Sequence, residues 1–404
     1  MEISNLKVTL LPHTSFLMED GTFNLNKAML YQGQIGGICY NEDGLLASFN
    51  EKAESTSKRV ERTTSGEHQS VFEHVNIGLY LQNSPKFLNM ILNNEHQYST
   101  SERSLRYTTI KNDEVLNDEM IRLYNKWNDI FFVKIKEKYG TVKTDKQIMK
   151  LAQENSRYLM PVTISTEMVH TIPLAQLNRV ANYMIDYKEH GINGKKDNLH
   201  EQLLPHMEKF IEELYRVNVI DERLLSNRKH RKLSIFGENL SDTKKEFGEV
   251  YSTVYKGSFA QLAQAHRHRT IYYQMERDDN KEYFIPPIIL DDPLLVNEWL
   301  DDTRLLIEKY NCIPQSEKVT ISEQGTFDNF VMKMKERLCS AAQLEVAMQT
   351  EETRDEYYNS LVEQDHHKKE DMKSYMNGAR CTFKDYDCPK SCNFSEGIKL
   401  LRKI

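Results

Sequence analysis

The chain has 404 residues, a length typical of two to three domains that each bury a hydrophobic core. It carries 53 Lys and Arg residues against 60 Asp and Glu residues, and its formal net charge at pH 7 is -7. With 39% hydrophobic and 28% charged residues, the composition is that of a globular protein. It excludes a disordered chain, and its negative charge argues against nucleic acid as the main partner.

The sequence predicts neither a membrane span nor export. The longest run without a charged residue covers residues 28–41, which is shorter than the roughly 18 apolar residues that a membrane helix needs. The opening sequence MEISNLKVTLLPHTS lacks the basic and then apolar segments of a secretory signal. We therefore expect a cytoplasmic protein without a membrane partner, whose six cysteines are reduced thiols.

The first part of the chain predicts a mixture of strand and helix. Residues 6–39 contain β-type residues interrupted by Gly and Asn, which favours strands, whereas the polar residues 43–66 predict a loop or a short helix. Ser84 and Pro85 are typical of a helix cap and first turn, and apolar residues at helical spacing follow them. We predict a helix over residues 85–94.

Longer amphipathic helices are predicted next. In each, apolar residues recur at helical spacing, and capping or turn residues stand at the ends. The predicted helices cover residues 117–139, 144–158, 174–187 and 200–217.

The second half of the chain repeats the kinds of element found in the first half. HVNIGLYLQNSPKFLNMILNNEH and EVYSTVYKGSFAQLAQAHRHR each run from a β-like segment into a helix that ends in a polar cluster. Further helices are predicted from Asp292 and over residues 326–348, and residues 365–404 predict a charged helix and a cysteine-bearing tail. The order of elements suggests a tandem repeat of one α+β unit, joined within residues 200–240.

The sequence HRHR at residues 266–269 is the first cluster that could carry chemistry. Four consecutive helical positions cover most of a circle, so these side chains cannot all share one solvated face. Two guanidinium groups and two imidazoles in a cleft would bind a phosphate or an electron-rich ring. The alternative is a basic surface patch at a helix C-terminus, where the helix dipole favours positive charge.

Two polar clusters in the first half are further candidates. In an extended segment, Glu102, Ser104 and Arg106 would share one face and could grip a phosphorylated, hydroxyl-bearing ligand, although a polar loop is the simpler interpretation. His68 and His74 flank an acidic residue, but their spacing is not a standard zinc spacing and more often marks a capped polar segment.

The order of these clusters resembles the flavin-dependent thymidylate synthases. That family has an FEH segment, a motif of the form RHRxxSxNExSxRY, an RxxLP segment, and a helix ending in Arg shortly before AQxE. Here FEH stands at residues 72–74, and Ser99, Glu102, Ser104, Arg106 and Tyr107 fit the second half of the long motif. Its opening RHR is replaced by residues 94–96, NEH, and RYLMP at residues 157–161 is similar to the third segment.

The parts of the signature missing from the first half occur in the second. RHR is intact at residues 267–269, with Gln264 three residues before it, and Arg337 precedes AQLE at residues 342–345. Family active sites combine residues of different subunits, so a fused pair could lose one set in each copy and still build a composite site.

The resemblance implies the following fold and assembly. The expected fold class is α+β, the thymidylate synthase-complementing (ThyX) fold, in two tandem copies with long helices packed on small mixed or antiparallel sheets. The expected divisions are repeat 1 over residues 1–205, a connection over 206–240, and a degenerate repeat 2 with its cysteine-containing tail over 241–404. A homodimer would then act as a pseudo-tetramer.

The resemblance also implies a reaction and its ligands. The activity would be FAD-dependent methylation of deoxyuridine monophosphate (dUMP) at ring carbon 5, with methylenetetrahydrofolate as carbon donor and NADPH as reductant. Arg267 and Ser104 would be catalytic. The substrate-binding residues would be Gln264, Arg267, Glu102, Ser104, Arg106, Tyr107, Arg157 and Arg337, and the cofactor-binding residues would be His74, His268, Arg269 and Ser70.

Some family residues are replaced in this chain. Pro173 and Ala175 stand where the family has a flavin-contacting Asn and Arg, and Met184 stands where an Arg would contact the nucleotide phosphate. Two alternatives to the synthase therefore stay open. One is a flavin- and folate-dependent enzyme acting on another pyrimidine nucleotide or base, and the other is a non-catalytic nucleotide-binding paralogue.

The C-terminal tail carries a separate cysteine pattern. Cys381, Cys388 and Cys392, with one further thiolate or imidazole, could bind zinc tetrahedrally. The spacing lacks the CxxC element of strong zinc motifs, and we expect reduced structural cysteines and no metal.

Overall fold

The computed structural model describes residues 4–66, 68–104, 106, 115–192, 194–225, 231–237, 239–362 and 366–404. The predicted site residue Tyr107 lies outside the described residues. The strands are, in chain order, β1 Lys7–Leu10, β2 Asn76–Pro85, β3 Ser99–Glu102, β4 Ser165–Pro173, β5 Val250–Ser258, β6 Tyr272–Glu276 and β7 Lys318–Thr326.

The α-helices are also numbered along the chain. In the first part they are α1 Leu25–Gly36, α2 Leu45–Phe49, α3 Ala53–Ser65, α4 Lys86–Leu92, α5 Asp118–Tyr139, α6 Asp145–Ser156, α7 Leu174–His190 and α8 Asn198–Arg216. In the second part they are α9 Phe259–Ala265, α10 Pro293–Tyr310, α11 Phe327–Arg337, α12 Leu344–Ser360, α13 His366–Lys373 and α14 Ser395–Ile398. None of the described helices is long and apolar enough to span a membrane.

The chain divides into two compact units. Unit 1 comprises Met1–Arg103 and Ser165–Leu233, and unit 2 comprises Ser104–Ile164 and Ser234–Ile404. Residues 104–164 thus fold with the second half of the chain, so the boundaries of the units differ from the predicted division at residues 205 and 241. The tandem repeat itself stays a prediction.

Unit 1 contains a four-stranded antiparallel sheet in the order β1-β2-β4-β3. Alternate residues of the central strand β4 are buried, which is typical of a sheet with one face on the core. Helices α4 and α7 begin directly after β2 and β4, so each strand leads into a helix without a loop.

Unit 2 contains a three-stranded antiparallel sheet in the order β5-β7-β6. Helices α9 and α11 begin directly after β5 and β7. The small antiparallel sheets and the helices around them confirm the predicted α+β fold class.

The two sheets share one plan. In unit 1, Asn76 pairs with Pro173, and in unit 2 Val250 pairs with Thr326, at the same ends of the corresponding strands. Likewise β3 pairs with β4 as β6 pairs with β7, with Glu102 opposite Met168 and Met275 opposite Ile321. These matching pairs align the two sheets residue by residue. Each residue near the sheet of unit 1 therefore has a counterpart at the same position in unit 2.

The long helices form the core of unit 2. Asn117 and Thr144 cap α5 and α6 through their side chains, as the sequence predicts. Trp127 of α5 meets Trp299 of α10 edge to face, with ring centroids 4.9 Å apart. These aromatic side chains are fully buried and anchor the cluster that holds the helices together.

Two counterpart segments of unit 2 also pair with each other. Pro161 and Pro314 each precede their strand, β4 or β7, by four residues, and they form an isolated antiparallel bridge. The Val162 amide donates to the Ile313 carbonyl at 2.9 Å, and the Gln315 amide to the Met160 carbonyl at 2.8 Å. Equivalent residues exchange equivalent bonds here, as they do in an isologous dimer interface.

Two local predictions were wrong, and a third was right in part. Residues 6–39 contain the strand β1 but also the helix α1, and residues 43–66, predicted as a loop or a short helix, form the helices α2 and α3. The single helix predicted over residues 326–348 is two helices, α11 and α12, separated by residues 338–343. This break positions part of the candidate site.

Candidate anion site in unit 2

Arg106 links the two halves of the sequence within unit 2. Its Nε donates to Glu154 Oε2 of α6 at 2.6 Å, and its Nη2 donates to the carbonyl of Ala341 at 3.0 Å. The guanidinium and the Glu154 carboxylate are both almost fully buried. Because one partner comes from α6 and the other from the α11–α12 connection, Arg106 fixes one segment against the other.

Arg157 is held beside Gln343, the last residue of the same connection. It lies in the 3-10 turn that follows α6, and its Nη2 donates to Gln343 Oε1 at 2.8 Å. The backbone amide of Gln343 in turn donates to Gln264 Oε1 of α9 at 3.2 Å. Arg157 Nε is buried and has no hydrogen-bond partner among the described residues, which leaves a buried donor for a ligand.

Arg337, at the end of α11, is positioned by His268. Its Nε donates to His268 Nε2 at 2.7 Å. The histidine is buried, and burial first, then the charges of Arg337 and Lys333, hold its pKa well below the usual value. His268 is therefore neutral, with its proton on Nδ1 and its Nε2 free to accept.

The neutrality of His268 gives unit 2 a pH dependence. In the unfolded chain the histidine titrates near 6.5, whereas its pKa in the fold is lower, so the unfolded state binds more protons as pH falls below 6.5. We expect the free energy of unfolding to fall by about 1 kcal/mol between pH 7.5 and 5.5 on this account. Urea titrations at both pH values, compared with His268→Asn, check this. An equal pH dependence in the variant would contradict it.

Glu345 holds residues that contact the site through buried hydrogen bonds. It is buried at the start of α12, where it accepts from the Ser258 amide at 2.9 Å and from the Tyr158 hydroxyl at 2.9 Å. Burial raises the pKa of this carboxyl. The Gln343 side chain also donates to the Tyr158 hydroxyl, so these contacts fix the rotamers of residues that contact Arg157 and Gln264.

The arginines of unit 2 converge. The charges of Arg106 and Arg267 both lower the pKa of Arg157, after burial as the main cause, and the same two charges lower the pKa of Arg337. Arg267 is exposed, whereas the other three are buried. Glu154 raises the pKa of Arg157 and Glu336 raises the pKa of Arg337, so these two carboxylates offset part of the charge of the four arginines. A phosphate would complete this arrangement, because guanidinium groups match its oxygens.

Comparison with known proteins identifies part of the chain. The family model "Thymidylate synthase complementing protein" matches residues 31–190. The match covers less than half of the chain. The match confirms the resemblance to the flavin-dependent thymidylate synthases, and it includes Arg106 and Arg157. No curated protein matches the chain.

Two solved structures are similar to part of this chain. Both are described as the UMP/dUMP methylase PolB from Streptomyces cacaoi, one bound with 5-Br dUMP and the other with 5-Br UMP. The first is 16% identical with a TM-score of 0.31, and the match covers 54% of this chain and 98% of that chain. The second is 12% identical with a TM-score of 0.30 and covers 54% and 96%.

The predicted site residues fall into two groups. The structure brings together Arg106, Arg157, Gln264, His268 and Arg337 in unit 2, with Arg267 close enough to affect the pKa of two of them. Ser104 lies beside them, since its hydroxyl accepts from the Arg106 amide at 3.3 Å. Arg269 is exposed in the same unit.

The other predicted residues lie in unit 1. Glu102 pairs with Lys86 at 2.6 Å and accepts from Asn89 at 3.1 Å, so its carboxylate has partners within its own unit. Ser70 and His74 are exposed at the 3-10 turn that precedes β2.

Sequence reasoning missed Glu154 and Tyr158 as parts of this site. Glu154, near the end of α6, precedes Arg157 of the following 3-10 turn by three residues, and this spacing could have suggested that the two charges lie close together. Gln343 and Glu345 belong to the AQLE segment that matched the family signature, but that match did not indicate what they contact.

The flavin contacts implied by the family are incomplete. Ala175 is fully buried and offers no donor, and Pro173 has no polar side chain. Their counterparts in unit 2 are Thr326, which caps α11, and the exposed Asp328, so neither supplies the missing Asn and Arg. His268 uses its accepting nitrogen on Arg337. These residues do not fit the family's flavin contacts, and we derive no step through flavin.

The tail cysteines show no metal geometry. Cys381, Cys388 and Cys392 are exposed free thiols. In the part of the chain that the structure describes, no three His, Cys, Asp or Glu side chains are placed to hold a metal ion.

Proposed function

We propose that this chain is a thymidylate synthase-like enzyme that binds dUMP in the anion site of unit 2. The observation that carries the proposal is the convergence of Arg106, Arg157, Arg267 and Arg337, with a buried Arg157 Nε that has no hydrogen-bond partner among the described residues. Burying guanidinium groups together is unfavourable unless a bound anion compensates them. A nucleotide phosphate has the charge and the acceptors to do so.

The charges also suggest how the nucleotide would be oriented. The buried arginines would hold the phosphate, and Arg267, which is exposed, would face the pyrimidine and polarise a ring carbonyl. Stabilising negative charge on that carbonyl favours bond formation at ring carbon 5. In this proposal the product is deoxythymidine monophosphate. The family resemblance implies methylenetetrahydrofolate as the carbon donor and NADPH as the reductant, since the transferred methylene group must gain a hydride to become a methyl group.

The composite site is best explained by an internal duplication. Helices α7 and α11 both follow their strand directly, and Met184 occupies in α7 the position that Arg337 occupies in α11. Residues 94–96 follow α4 as residues 267–269 follow α9. We infer that each copy has lost the arginines that the other has kept, which leaves one complete phosphate site in each chain.

A second candidate function is favoured by the incomplete flavin contacts at Pro173 and Ala175. In that case the chain binds a pyrimidine nucleotide without converting it. Its arginine site would be unchanged, so nucleotide affinity alone does not separate the two candidates.

The visible absorption spectrum of the purified protein, before and after dUMP is added, tests both candidates. We expect dUMP to bind and NADPH oxidation to depend on dUMP and methylenetetrahydrofolate. An oxidised-flavin band that dUMP perturbs would show that flavin binds through residues other than the family's usual contacts. A colourless protein that binds dUMP but takes up no FAD would establish the non-catalytic candidate. A protein that does not bind dUMP at all would overturn the proposed function.

A further inference from the structure

Three consecutive carbonyl groups between α11 and α12 are held by two buried arginines. Arg402 donates from Nη1 to Ser340 at 3.1 Å and from Nη2 to Ala342 at 2.8 Å, and Arg106 donates to Ala341. We call residues 339–343 the bridge segment. Its last residue, Gln343, contacts both Arg157 and Gln264, so a shift of the bridge segment would displace the site.

Arg402 belongs to the last ten residues of unit 2, 395–404, which pack against the rest of that unit. We call residues 395–404 the docked tail. The Tyr139 hydroxyl donates to Glu396 at 2.8 Å and accepts from the Lys403 amide at 3.1 Å. The Ala379 amide donates to the Ile398 carbonyl at 2.7 Å, and the terminal Ile404 is buried in the helical core. These contacts hold the backbone on both sides of Arg402.

The Arg402 guanidinium is costly to bury. Burial lowers the pKa of Arg402 to about 10, and the nearby positive charge of Arg106 acts in the same direction, while Glu154 opposes it. A surface lysine in the tail would avoid this cost. A planar guanidinium, however, can donate to two carbonyl groups at once, which a lysine cannot do with the same geometry.

We propose that Arg402 is a positioning residue of the anion site, and that the docked tail holds the bridge segment in its ligand-binding geometry. The docked tail lies outside residues 31–190, so this positioning contact is separate from the part of the chain that matches the family. The inference rests on the proposed function only in taking dUMP as the ligand. It predicts that losing the two Arg402 bonds weakens the hold on the phosphate through Gln343 and Arg157.

The test compares dUMP with deoxyuridine, which lacks the phosphate. We expect Arg402→Met to weaken dUMP binding about tenfold, because a positioned charge-assisted contact to the phosphate is lost, and to leave deoxyuridine binding within about twofold. Lys403→Met is the matched control, because it removes the same charge from the adjacent residue but only breaks a surface pair with Asp291. That control should bind dUMP normally.

The outcomes separate this inference from the proposed function. Unchanged dUMP affinity in Arg402→Met, or an equal loss for dUMP and deoxyuridine, would overturn the positioning role. Should that variant not fold, Arg402→Gln retains one donor and is expected to show a smaller loss confined to dUMP. Failure of the unmodified protein to bind dUMP would instead overturn the proposed function.

Discussion

Replacing Arg337 with alanine will weaken dUMP binding about 10- to 100-fold, because a charge-assisted contact of about 1.5–3 kcal/mol is removed from a buried position. Isothermal titration calorimetry measures the change. Arg337→Lys will recover little, since an ammonium cannot both donate to His268 and present a second planar donor to the phosphate. Arg304→Ala is the matched control, because this arginine of the same unit is exposed and forms a surface pair with Asp301.

The same experiment on Arg106 tests the composite site. Arg106 lies in the first half of the sequence and Arg337 in the second, yet both are expected to hold the same phosphate. Removing Arg106 alone would leave Glu154 buried without its partner, so Arg106→Met is combined with Glu154→Gln. Normal dUMP affinity in the double variant, or in Arg337→Ala, would contradict a site built from both halves.

The elements that the sequence predicted well carry their own signals. Helices α5 and α6 begin after side-chain caps and have regular apolar faces, so local chemistry determines them. Helix α1 was missed because its buried face consists largely of small or polar residues. Gly33 and Gly36 lie on that face, where an added Cβ would come within 2.5 Å of Val60 and 2.9 Å of Val71. Close packing at these glycines, rather than a hydrophobic face, stabilises helix α1.

The break between α11 and α12 depends on distant parts of the chain. Residues 338–343 contain neither Gly nor Pro, and nothing local predicts that the helix ends at Arg337. The carbonyl groups of this segment are instead taken by Arg106 and Arg402, which lie far away in the sequence. A single sequence cannot indicate such partners.

The candidate site was also predictable from the sequence only in part. The motifs and the family resemblance indicated Arg157, Arg267 and Arg337 as candidates for one nucleotide site. The contacts of their neighbours could not be predicted in the same way. No sequence pattern indicated that His268 accepts from Arg337 or that Glu102 pairs with Lys86.

Lys333 and Glu323 form a fully buried ion pair in unit 2. Loss of this pair should lower the free energy of unfolding more than any substitution on the surface. Lys333 Nζ donates to Glu323 Oε2 at 2.5 Å, and neither side chain is exposed at all. The Tyr251 and Tyr255 hydroxyls also donate to this carboxylate, at 2.6 and 3.1 Å. In unit 1 the counterpart positions hold His170 and Val180, so this charged network is peculiar to the unit that carries the anion site.

Lys333→Met will lower the free energy of unfolding by about 3–5 kcal/mol, because it leaves the Glu323 carboxylate buried without its cation. Adding Glu323→Gln should restore most of the loss, since the amide keeps the tyrosine contacts without a charge. Urea titrations followed by tryptophan fluorescence report on this unit, because both tryptophans of the chain lie in it. Lys245→Met, which breaks an exposed pair with Glu356, should cost less than about 1 kcal/mol. A double variant as unstable as the single one would mean that packing around Lys333, rather than its charge, stabilises unit 2.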